Sequence, residues 1–360
     1  MRLAIATDAW LPQVNGVVRT LAATVTELDR RGYEVELITP AQFTTLPLPG
    51  YSSIDVAIAP RFTVRRTLNA FAPDVVHIPT EGPIGWAARN WCLSHGVPHT
   101  TAFHTRFPDY VAARTGISAD RLWPIFRRFH KHSRAVLAAT PSLENELISR
   151  GIGKVRRWTR GIDHWLFRAE GALHPAMVDL PRPLLLNVGR VSREKNLEAF
   201  LALDVPGTKV VVGSGPDEEM LRRKYPHVHF LGMLAGEELA SAYRTADCFV
   251  FPSLTDTFGL VVIEALACGV PVAAFPISGP LDIIGLSGRG ADSDFPARIG
   301  SCDARLDSAI AVAQQSDRRA AAVFAQRFSW EHATDQFLAA LTDALAGSST
   351  QSGAKPQFAE

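Results

Sequence analysis

The sequence lacks long apolar runs and closely spaced cysteines. No stretch of about 18 consecutive apolar residues occurs, so no helix is expected to span a bilayer. The acid Asp8 comes too early for the apolar part of a secretory leader, and residues 1–8 instead indicate a first buried strand. The cysteines are far apart and form no C-x-x-C pair, which predicts reduced core thiols in a cytoplasmic protein: Cys92, Cys248, Cys268 and Cys302.

Composition and charge favour a globular chain with two electrically unlike halves. At 360 residues, with 47% apolar and 20% charged, the chain is long enough for two domains that each bury a core. The net charge of +1 hides an asymmetry, because residues 1–168 hold 21 Lys and Arg against 13 Asp and Glu, whereas residues 169–360 hold 16 against 23. The halves therefore carry +8 and −7, which predicts an anionic partner for the first half.

Short apolar strands alternate with helical segments along both halves, which predicts right-handed βαβ units and an α/β fold. Strands are expected at residues 2–7, 34–39, 74–78, 99–103, 135–140, 183–188, 208–212, 227–231, 248–252 and 271–275. Helices are expected at residues 17–31, 83–95, 142–151, 197–203, 218–223, 236–245 and 261–268. A proline-rich break predicts two Rossmann-like parallel-sheet domains facing each other across a cleft. The predicted parts are residues 1–165, 166–330, a helix at 331–346 crossing back to the first domain, and a disordered tail at 347–360.

Two carboxylates, Asp256 and Glu264, lie eight residues apart across a strand-end loop and the helix that follows it. Because one carboxylate accepts two or more O–H donors, two of them aimed into a cleft suit a ligand rich in hydroxyl groups. The turn between them adds Phe258, Gly259 and Leu260 as candidate ligand contacts. A helix with a solvated acid at each end is the alternative interpretation.

A second segment, NVGRVSREKN (residues 187–196), joins a buried strand to a helix. Arg190 offers a planar fork of donors and Lys195 a compact charge, and with Gly189 beside them they suit a diphosphate. The competing interpretation is a solvated, charged helix start. The position directly after a strand favours binding.

Three strand-end positions give weaker signals. An Asn-Gly turn before the first helix leaves free backbone N–H groups, and Gly16 allows close approach, so the turn suits a phosphate or is an ordinary turn. The turn GSGPDE is not a dinucleotide fingerprint, because Glu218 stands where that motif needs glycine, and Gly215 offers at most a backbone contact to a nucleotide. His104 follows a strand, and both a structural role and a hydrogen bond to substrate remain open.

A basic amphipathic segment occupies residues 121–134, with no acid between Asp120 and Glu144. At 100° per residue its apolar side chains form one stripe, opposite most of its cations. Together with Trp123, this pattern is typical of attachment to an anionic membrane surface. The alternative is a helix that packs its apolar stripe on its own sheet, and nucleic-acid binding is disfavoured. The candidate membrane or acceptor residues are Trp123, Arg127, Arg128 and Lys131.

Taken in order, the Asn-Gly-Val loop, FHTRFP, GRVSREKN, GSGP and TDTFG…EA resemble the family-four retaining glycosyltransferases of the GT-B fold. The similarity covers residues 1–345 and looks most like the branch of α-mannosyltransferases and of sulfolipid, glucuronosyl- or glucosyl-diacylglycerol synthases. The family's E-x7-E pattern begins with Asp256 here, about one methylene short of glutamate. The resemblance implies that Asp256 binds hydroxyls of the transferred sugar, with a shifted or water-mediated contact.

The same resemblance implies an acceptor-binding first domain and a donor-binding second domain. Arg190 and Lys195 would bind the donor's diphosphate and stabilise its charge as it leaves, and Gly16 would approach it from the first domain. Glu264 would hold the ribose hydroxyls, and His104 would contact the sugar near its 6-position.

The expected reaction moves a hexose, with retention, from a UDP- or GDP-sugar to a membrane lipid such as diacylglycerol, while the departing phosphate accepts the acceptor's proton. No carboxylate pair is placed like that of a retaining glycosidase, and no D-x-D-like motif lies at a predicted strand end, so neither metal nor cofactor is expected. We expect peripheral contact with the inner face of an anionic membrane and no nucleic-acid partner. The alternatives are a soluble or polysaccharide glycan acceptor, a catalytically silent sugar-nucleotide or nucleic-acid binding protein, and a nucleotide-sugar epimerase of related fold.

Overall fold

A computed structural model of the chain describes residues 1–13, 15–48, 51–104, 106–108, 116 and 118–349. The chain divides into two compact units: unit 1 holds Met1–Gly161 and the segment that starts at Trp330, and unit 2 holds Ile162–Ser329. The predicted tail lies outside the described residues from 350 onward, whereas residues 347–349 continue the last helix. None of the helices within the described residues is both long and apolar enough to cross a membrane.

Unit 1 is built on one parallel sheet. Its strands are β1 (Arg2–Ala6), β2 (Glu34–Ile38), β5 (Val75–Ile78), β6 (His99–Phe103), β7 (Val136–Ala138) and β8 (Val155–Arg157), while β3 (Thr45–Leu48) and β4 (Tyr51–Ala57) pair as a separate hairpin. The sheet order is β2-β1-β5-β6-β7-β8. The described helices of this unit are α1 (Gly16–Arg30), α2 (Arg61–Phe71), α3 (Pro83–His95), α4 (Ala119–His130), α5 (Pro141–Ser149) and α13 (Trp330–Ser349).

Both faces of this sheet are buried, as the apolar run of β1 requires. Successive side chains of a strand point to opposite faces, so Leu3 and Ile5 pack with α1 and α13. Ala4 and Ala6 face the other layer, where α2 and α3 pack together with Phe129 of α4. The last helix of the chain is therefore part of the core of unit 1.

Unit 2 repeats the architecture. Its strands are β9 (Leu184–Val188), β10 (Thr208–Val212), β11 (His229–Gly232), β12 (Cys248–Phe251), β13 (Val272–Ala274) and β14 (Gly300–Cys302), in the parallel order β11-β10-β9-β12-β13-β14. Its helices are α6 (Leu197–Leu201), α7 (Glu218–Lys224), α8 (Gly236–Thr245), α9 (Leu260–Ala267), α10 (Ser278–Ile283), α11 (Leu306–Ala313) and α12 (Arg318–Ala325). A parallel bridge between Ile162 and Ser329 joins the two ends of the unit.

The predicted strands and helices are confirmed, with their ends within about two residues, as is usual for boundaries read from sequence. The α/β architecture of two parallel sheets is confirmed as well. The sequence pattern missed the β3–β4 hairpin, α2, β8, β14 and helices α10 to α12. β8 shows why, because two of its three residues are arginines and it has no apolar run to detect.

Candidate functional site

The two segments of unit 2 that carry the candidate residues meet at one point of its sheet. The chain runs outward from β9 to β10 and β11, then returns to β12 on the other side of β9. Connections on either side of such a reversal diverge, and the crevice left at the carboxyl ends is where open α/β sheets bind ligands. The loop after β9 contains Gly189, Arg190 and Lys195, and the loop after β12 contains Asp256.

Lys195 and Asp256 form an ion pair across this reversal point. Nζ of Lys195 donates to Oδ1 of Asp256 at 2.6 Å, with the side chains 25% and 18% exposed. Oδ2 of Asp256 is buried and has no hydrogen-bond partner within the described part of the chain. Arg190 and Gly189 are half-buried in the same loop. The arrangement offers cations to an anionic group beside an acceptor for hydroxyl groups.

Backbone-directed hydrogen bonds hold the two loops together. Asn196 adopts a left-handed conformation with φ of 52°, which asparagine tolerates better than most residues, and its Nδ2 donates to the carbonyl of Pro252 at 3.0 Å. Oγ1 of Thr255 donates to the carbonyl of Glu194 at 3.4 Å. Nδ2 of Asn187, in β9, donates to the carbonyl of Val250 in β12 at 2.9 Å. These bonds fix the position of Lys195 relative to Asp256.

Glu264 lies within α9 and is 1% exposed. Its Oε2 accepts a hydrogen bond from the hydroxyl of Tyr243, in α8, at 3.0 Å. A ligand of this carboxylate would therefore share it with Tyr243. The sequence did not reveal Tyr243, because a single tyrosine on a helix carries no motif and indicates only core packing.

Local backbone geometry explains the glycines at positions 215 and 259. A Cβ on Gly215 would lie 2.2 Å from the carbonyl oxygen of Val191, and the Val191 N–H donates to the carbonyl of Ser214 at 3.0 Å. The close approach of these loops thus explains Gly215 without a nucleotide. Gly259 has φ of 90° where α9 begins, and Leu260 is half-buried.

The side chain of Phe258, a candidate donor contact, is buried. Its side chain is 6% exposed and packs edge-on against Phe328, with the ring centroids 6.1 Å apart. Contact of Phe258 with the donor stays a prediction, and the packing of its ring favours a contact made by its backbone.

In unit 1, His104 follows β6 and is held by a buried arginine that the sequence did not single out. Nη2 of Arg160 donates to Nδ1 of His104 at 3.0 Å, and Nη1 donates to the carbonyls of Trp158 at 2.6 Å and Thr159 at 3.1 Å. Burial, together with the charge of Arg160, holds the pKa of His104 well below its ordinary value. Burial lowers the pKa of Arg160 to about 9, so it stays charged at pH 7. Because Nδ1 accepts, the neutral ring carries its hydrogen on Nε2.

The predicted phosphate-binding turn is already capped. Oδ1 of Asn15 accepts from the N–H groups of Val17 and Val18, both at 3.0 Å, as an N-cap residue does. The expectation that these N–H groups are free is therefore wrong. Gly16 itself is exposed, so close approach to its backbone stays a prediction.

A carboxylate that the sequence did not mark lies at the reversal point of the unit 1 sheet, between β1 and β5. Oδ1 of Asp8 accepts from the N–H of Ile84 at 2.8 Å, and Oδ2 accepts from the N–H of Gly85 at 3.2 Å and the hydroxyl of Thr80 at 2.9 Å. Burial raises the pKa of Asp8. Asp8 thus caps the first turn of α3.

The basic segment forms α4, but its aromatic residue faces inward. Trp123 is 3% exposed, stacks on Phe103 with centroids 5.7 Å apart, and is covered by the guanidinium of Arg150 at 5.0 Å. The prediction that Trp123 contacts a membrane is therefore corrected, because its ring is buried in the core of unit 1. The cations of the prediction are exposed, as expected: Arg127, Arg128 and Lys131.

Comparison with known proteins gives the same picture. The sequence profile of Glycosyltransferase Family 4 matches residues 14–166, and that of Glycosyl transferases group 1 matches residues 182–299. A sucrose-phosphate synthase structure from Thermosynechococcus elongatus superposes with a TM-score of 0.73 at 20% identity, covering 96% of this chain and 100% of that one. Fold and profiles together define a glycosyltransferase of the GT-B class.

Two relatives are similar to this chain over most of its length. A GDP-mannose-dependent alpha-mannosyltransferase of Mycobacterium tuberculosis is 31% identical over 86% of this chain and 87% of its own length. An alpha-monoglucosyldiacylglycerol synthase of Streptococcus pneumoniae is 28% identical over 76% of this chain and 71% of its own. The chain belongs to the family-four glycosyltransferases, a retaining family that uses nucleotide-sugar donors.

Proposed function

We propose that this glycosyltransferase moves a hexose from a UDP- or GDP-sugar to a hydroxyl group of a membrane lipid such as diacylglycerol, without a metal ion. The observation that carries the proposal is the Lys195–Asp256 pair at the reversal point of the unit 2 sheet. It sets a cation for a diphosphate beside an acceptor for sugar hydroxyls. Family membership supplies the nucleotide-sugar chemistry, and the lipid acceptor is the proposed part.

In the proposed reaction the bond between the anomeric carbon and the donor's phosphate oxygen breaks, and a bond to the acceptor oxygen forms on the same face of the sugar. The acceptor's proton passes to the departing phosphate. Lys195 and Arg190 stabilise the charge that develops there, because fixed cations placed in advance need no reorganisation. Oδ2 of Asp256 accepts from hydroxyls of the sugar, and Glu264 from those of the ribose.

His104 supports the same proposal from unit 1. Its Nδ1 is engaged by Arg160, so its Nε2–H is a donor, and a neutral donor suits a sugar hydroxyl such as that at the 6-position. Arg160 acts here as a positioning residue. Gly16 is proposed to let the backbone approach the diphosphate.

The lipid acceptor rests on two lines of support. The relative from Streptococcus pneumoniae is named for a diacylglycerol product, and unit 1 carries exposed cations suited to an anionic membrane surface. The relative from Mycobacterium tuberculosis is named for its donor alone, which keeps a soluble or polysaccharide glycan as the second candidate acceptor.

A panel of donors and acceptors tests the proposal. Purified protein is incubated with GDP-mannose, UDP-glucose or UDP-glucuronic acid, with either vesicles containing diacylglycerol or soluble glycans, and products are identified by mass spectrometry. We expect a glycosylated lipid from one donor, with retained anomeric configuration, and formation about 100- to 1,000-fold slower with Lys195→Met. Transfer to soluble glycans alone would establish the second candidate. No transfer and no hydrolysis with any donor would indicate a silent binding protein.

A further inference from the structure

The α2 face of unit 1 combines exposed apolar and basic side chains. On a helical projection, Val64 and Leu68 of α2 point into the core and are fully buried. The opposite side presents Phe62, which is 75% exposed, and the exposed Arg66. Arg65 on the flank of the helix and Arg61 at its start are exposed as well. We define the α2 face by the exposed residues Arg61, Phe62, Arg65 and Arg66 of α2 and Leu46 and Ile58 of the adjoining hairpin.

The hairpin extends this surface with aliphatic side chains. Leu46 pairs with Val56 across β3 and β4, and directly opposed residues of an antiparallel pair share a face. Ile58 directly follows β4, and its N–H donates to the carbonyl of Thr44 at 2.9 Å. Leu46 is 60% exposed and Ile58 47% exposed. Large apolar groups thus flank the start of α2.

The charges of the α2 face have one sign. No Asp or Glu occurs between Asp55 and Asp74, while Arg61, Arg65 and Arg66 are all exposed. Glu36 and Arg66 line one hollow near the far end of the helix. An anionic lipid bilayer has a charged surface layer and an apolar interior just beneath it. Cations around an exposed aromatic ring match both layers, because the cations pair with the headgroups and the ring enters the apolar part.

The α2 face also lies at the edge of the sheet that carries His104. Phe71, at the end of α2, lies under the guanidinium of Arg2, the first residue of β1, at 4.6 Å. The first residue of α2, Arg61, follows Ile58 closely in the chain. The N–H of Ile58 donates to the carbonyl of Thr44, which lies beyond the carboxyl end of β2. The first turn of α2 is therefore near the carboxyl edge of the sheet, where His104 follows β6.

Helix α4 contrasts with this arrangement. Its cations Arg127, Arg128 and Lys131 come at its end, just before β7 starts, and so lie toward the amino edge. They line a cavity of about 360 Å³ with Lys154, which immediately precedes β8. The large exposed apolar residue of α4 is Ile125, at 54%, while Trp123 is buried.

From these observations we propose that the α2 face, rather than α4, docks unit 1 onto an anionic lipid bilayer, with Phe62 inserted among the lipids. This docking rests on the proposed lipid acceptor, because the acceptor gives the enzyme a reason to bind a membrane. The test of docking is separate, because it measures vesicle binding without sugar transfer. Docking by this face would bring the edge that carries His104 toward lipid hydroxyl groups.

Vesicle binding without any donor tests the docking separately from catalysis. Purified full-length protein is sedimented with vesicles of phosphatidylcholine and phosphatidylglycerol, and with phosphatidylcholine alone. One variant carries Arg61→Gln, Arg65→Gln and Arg66→Gln, and its matched control carries Arg127→Gln, Arg128→Gln and Lys131→Gln. Each arginine near an anionic surface contributes about fivefold, so we expect about 100-fold weaker binding for the α2 variant. The α4 variant should stay within about threefold, because its cations lie at the opposite edge.

A fluorescent label on an introduced cysteine reports which face contacts the vesicle, and this measurement does not depend on a loss of binding. The four natural cysteines are buried, and burial raises the pKa of each thiol, so an introduced surface cysteine is labelled selectively. An environment-sensitive fluorophore on Phe62→Cys should shift to the blue with anionic vesicles, and one on Ile125→Cys should not.

The two measurements together decide the proposal. A shift at position 125 without one at 62, stronger loss from the α4 variant, or no binding of the parent protein would each overturn it. Docking without sugar transfer to lipid would contradict the proposed acceptor and leave the docking face standing.

Discussion

Each of the two sheets has one reversal point in its strand order, and the side chains at the two reversal points do different things. In unit 1 the carboxylate at that point, Asp8, accepts from two backbone N–H groups and a hydroxyl, and so serves the fold. In unit 2 the carboxylate, Asp256, pairs with a half-buried lysine and keeps one oxygen without a hydrogen-bond partner in the described residues. Topology thus supplies a crevice in both units, and residue chemistry decides which crevice can hold a ligand.

The cations differ in the same way. Arg160 of unit 1 is buried and directs its N–H groups to two carbonyls and to His104, so its charge acts on another protein group. Lys195 of unit 2 is 25% exposed and can reach a ligand. We therefore expect substitutions of the candidate residues in unit 2 to change turnover or donor binding, and those in unit 1 to change stability or the state of His104.

The largest effect is expected from Lys195→Met. Loss of a fixed cation at the leaving phosphate should lower kcat at saturating donor by about 100- to 1,000-fold. The matched control is Arg193→Met, because Arg193 is exposed in the same short turn. Near-normal kcat for the lysine variant, with the fold intact by circular dichroism, would remove Lys195 from the mechanism.

Asp8→Ala should chiefly lower stability. Its removal leaves the buried N–H groups of Ile84 and Gly85 without their acceptor, which costs about 1–3 kcal/mol for such groups. Urea unfolding measures the loss, and isothermal titration with the nucleotide should show unchanged affinity. Weakened nucleotide binding at full stability would mean that the unit 1 reversal point is also a ligand site.

Arg160→Met should make activity depend on pH. Arg160 and His77 are the charged or titratable groups known to act on His104, and burial is the main cause of its lowered pKa. Removing the cation raises that pKa, so imidazolium accumulates as the pH falls. Because burial still opposes the imidazolium form, we expect kcat/KM of the methionine variant to fall at the acid end of the pH profile, where the parent protein keeps its activity. Arg160→Lys, which keeps a charge, should restore a flatter profile, and an unchanged profile in the methionine variant would exclude the positioning role.

The smallest effect is expected from Tyr243→Phe. It removes one hydrogen bond from Glu264, worth about 1 kcal/mol, which corresponds to about a fivefold change in donor KM. Because the contact concerns the proposed ribose site, kcat should change little. A large loss of kcat with KM unchanged would place this pair in the transition state instead.

Local sequence was informative wherever the signal was local. The structure confirms the apolar strands, the helix starts and the position of the two candidate segments directly after β9 and β12, because each of these features is encoded in adjacent residues. The interpretation of α4 failed for Trp123, since helical periodicity identifies a stripe of apolar residues but not what covers it. The sequence also overlooked α2, whose exposed Phe62 interrupts the pattern expected of a core helix.

The sequence alone determined the family, the α/β class and the residue types at the strand ends, because these are properties of short ordered motifs. Only the tertiary structure decided which residues contact them. Tyr243 donates to Glu264, Arg160 donates to His104, and Asp8 accepts from the first turn of α3. These partners are 21, 56 and more than 70 residues apart. The folding of the sheets brings them together, and no periodicity in the chain records such contacts.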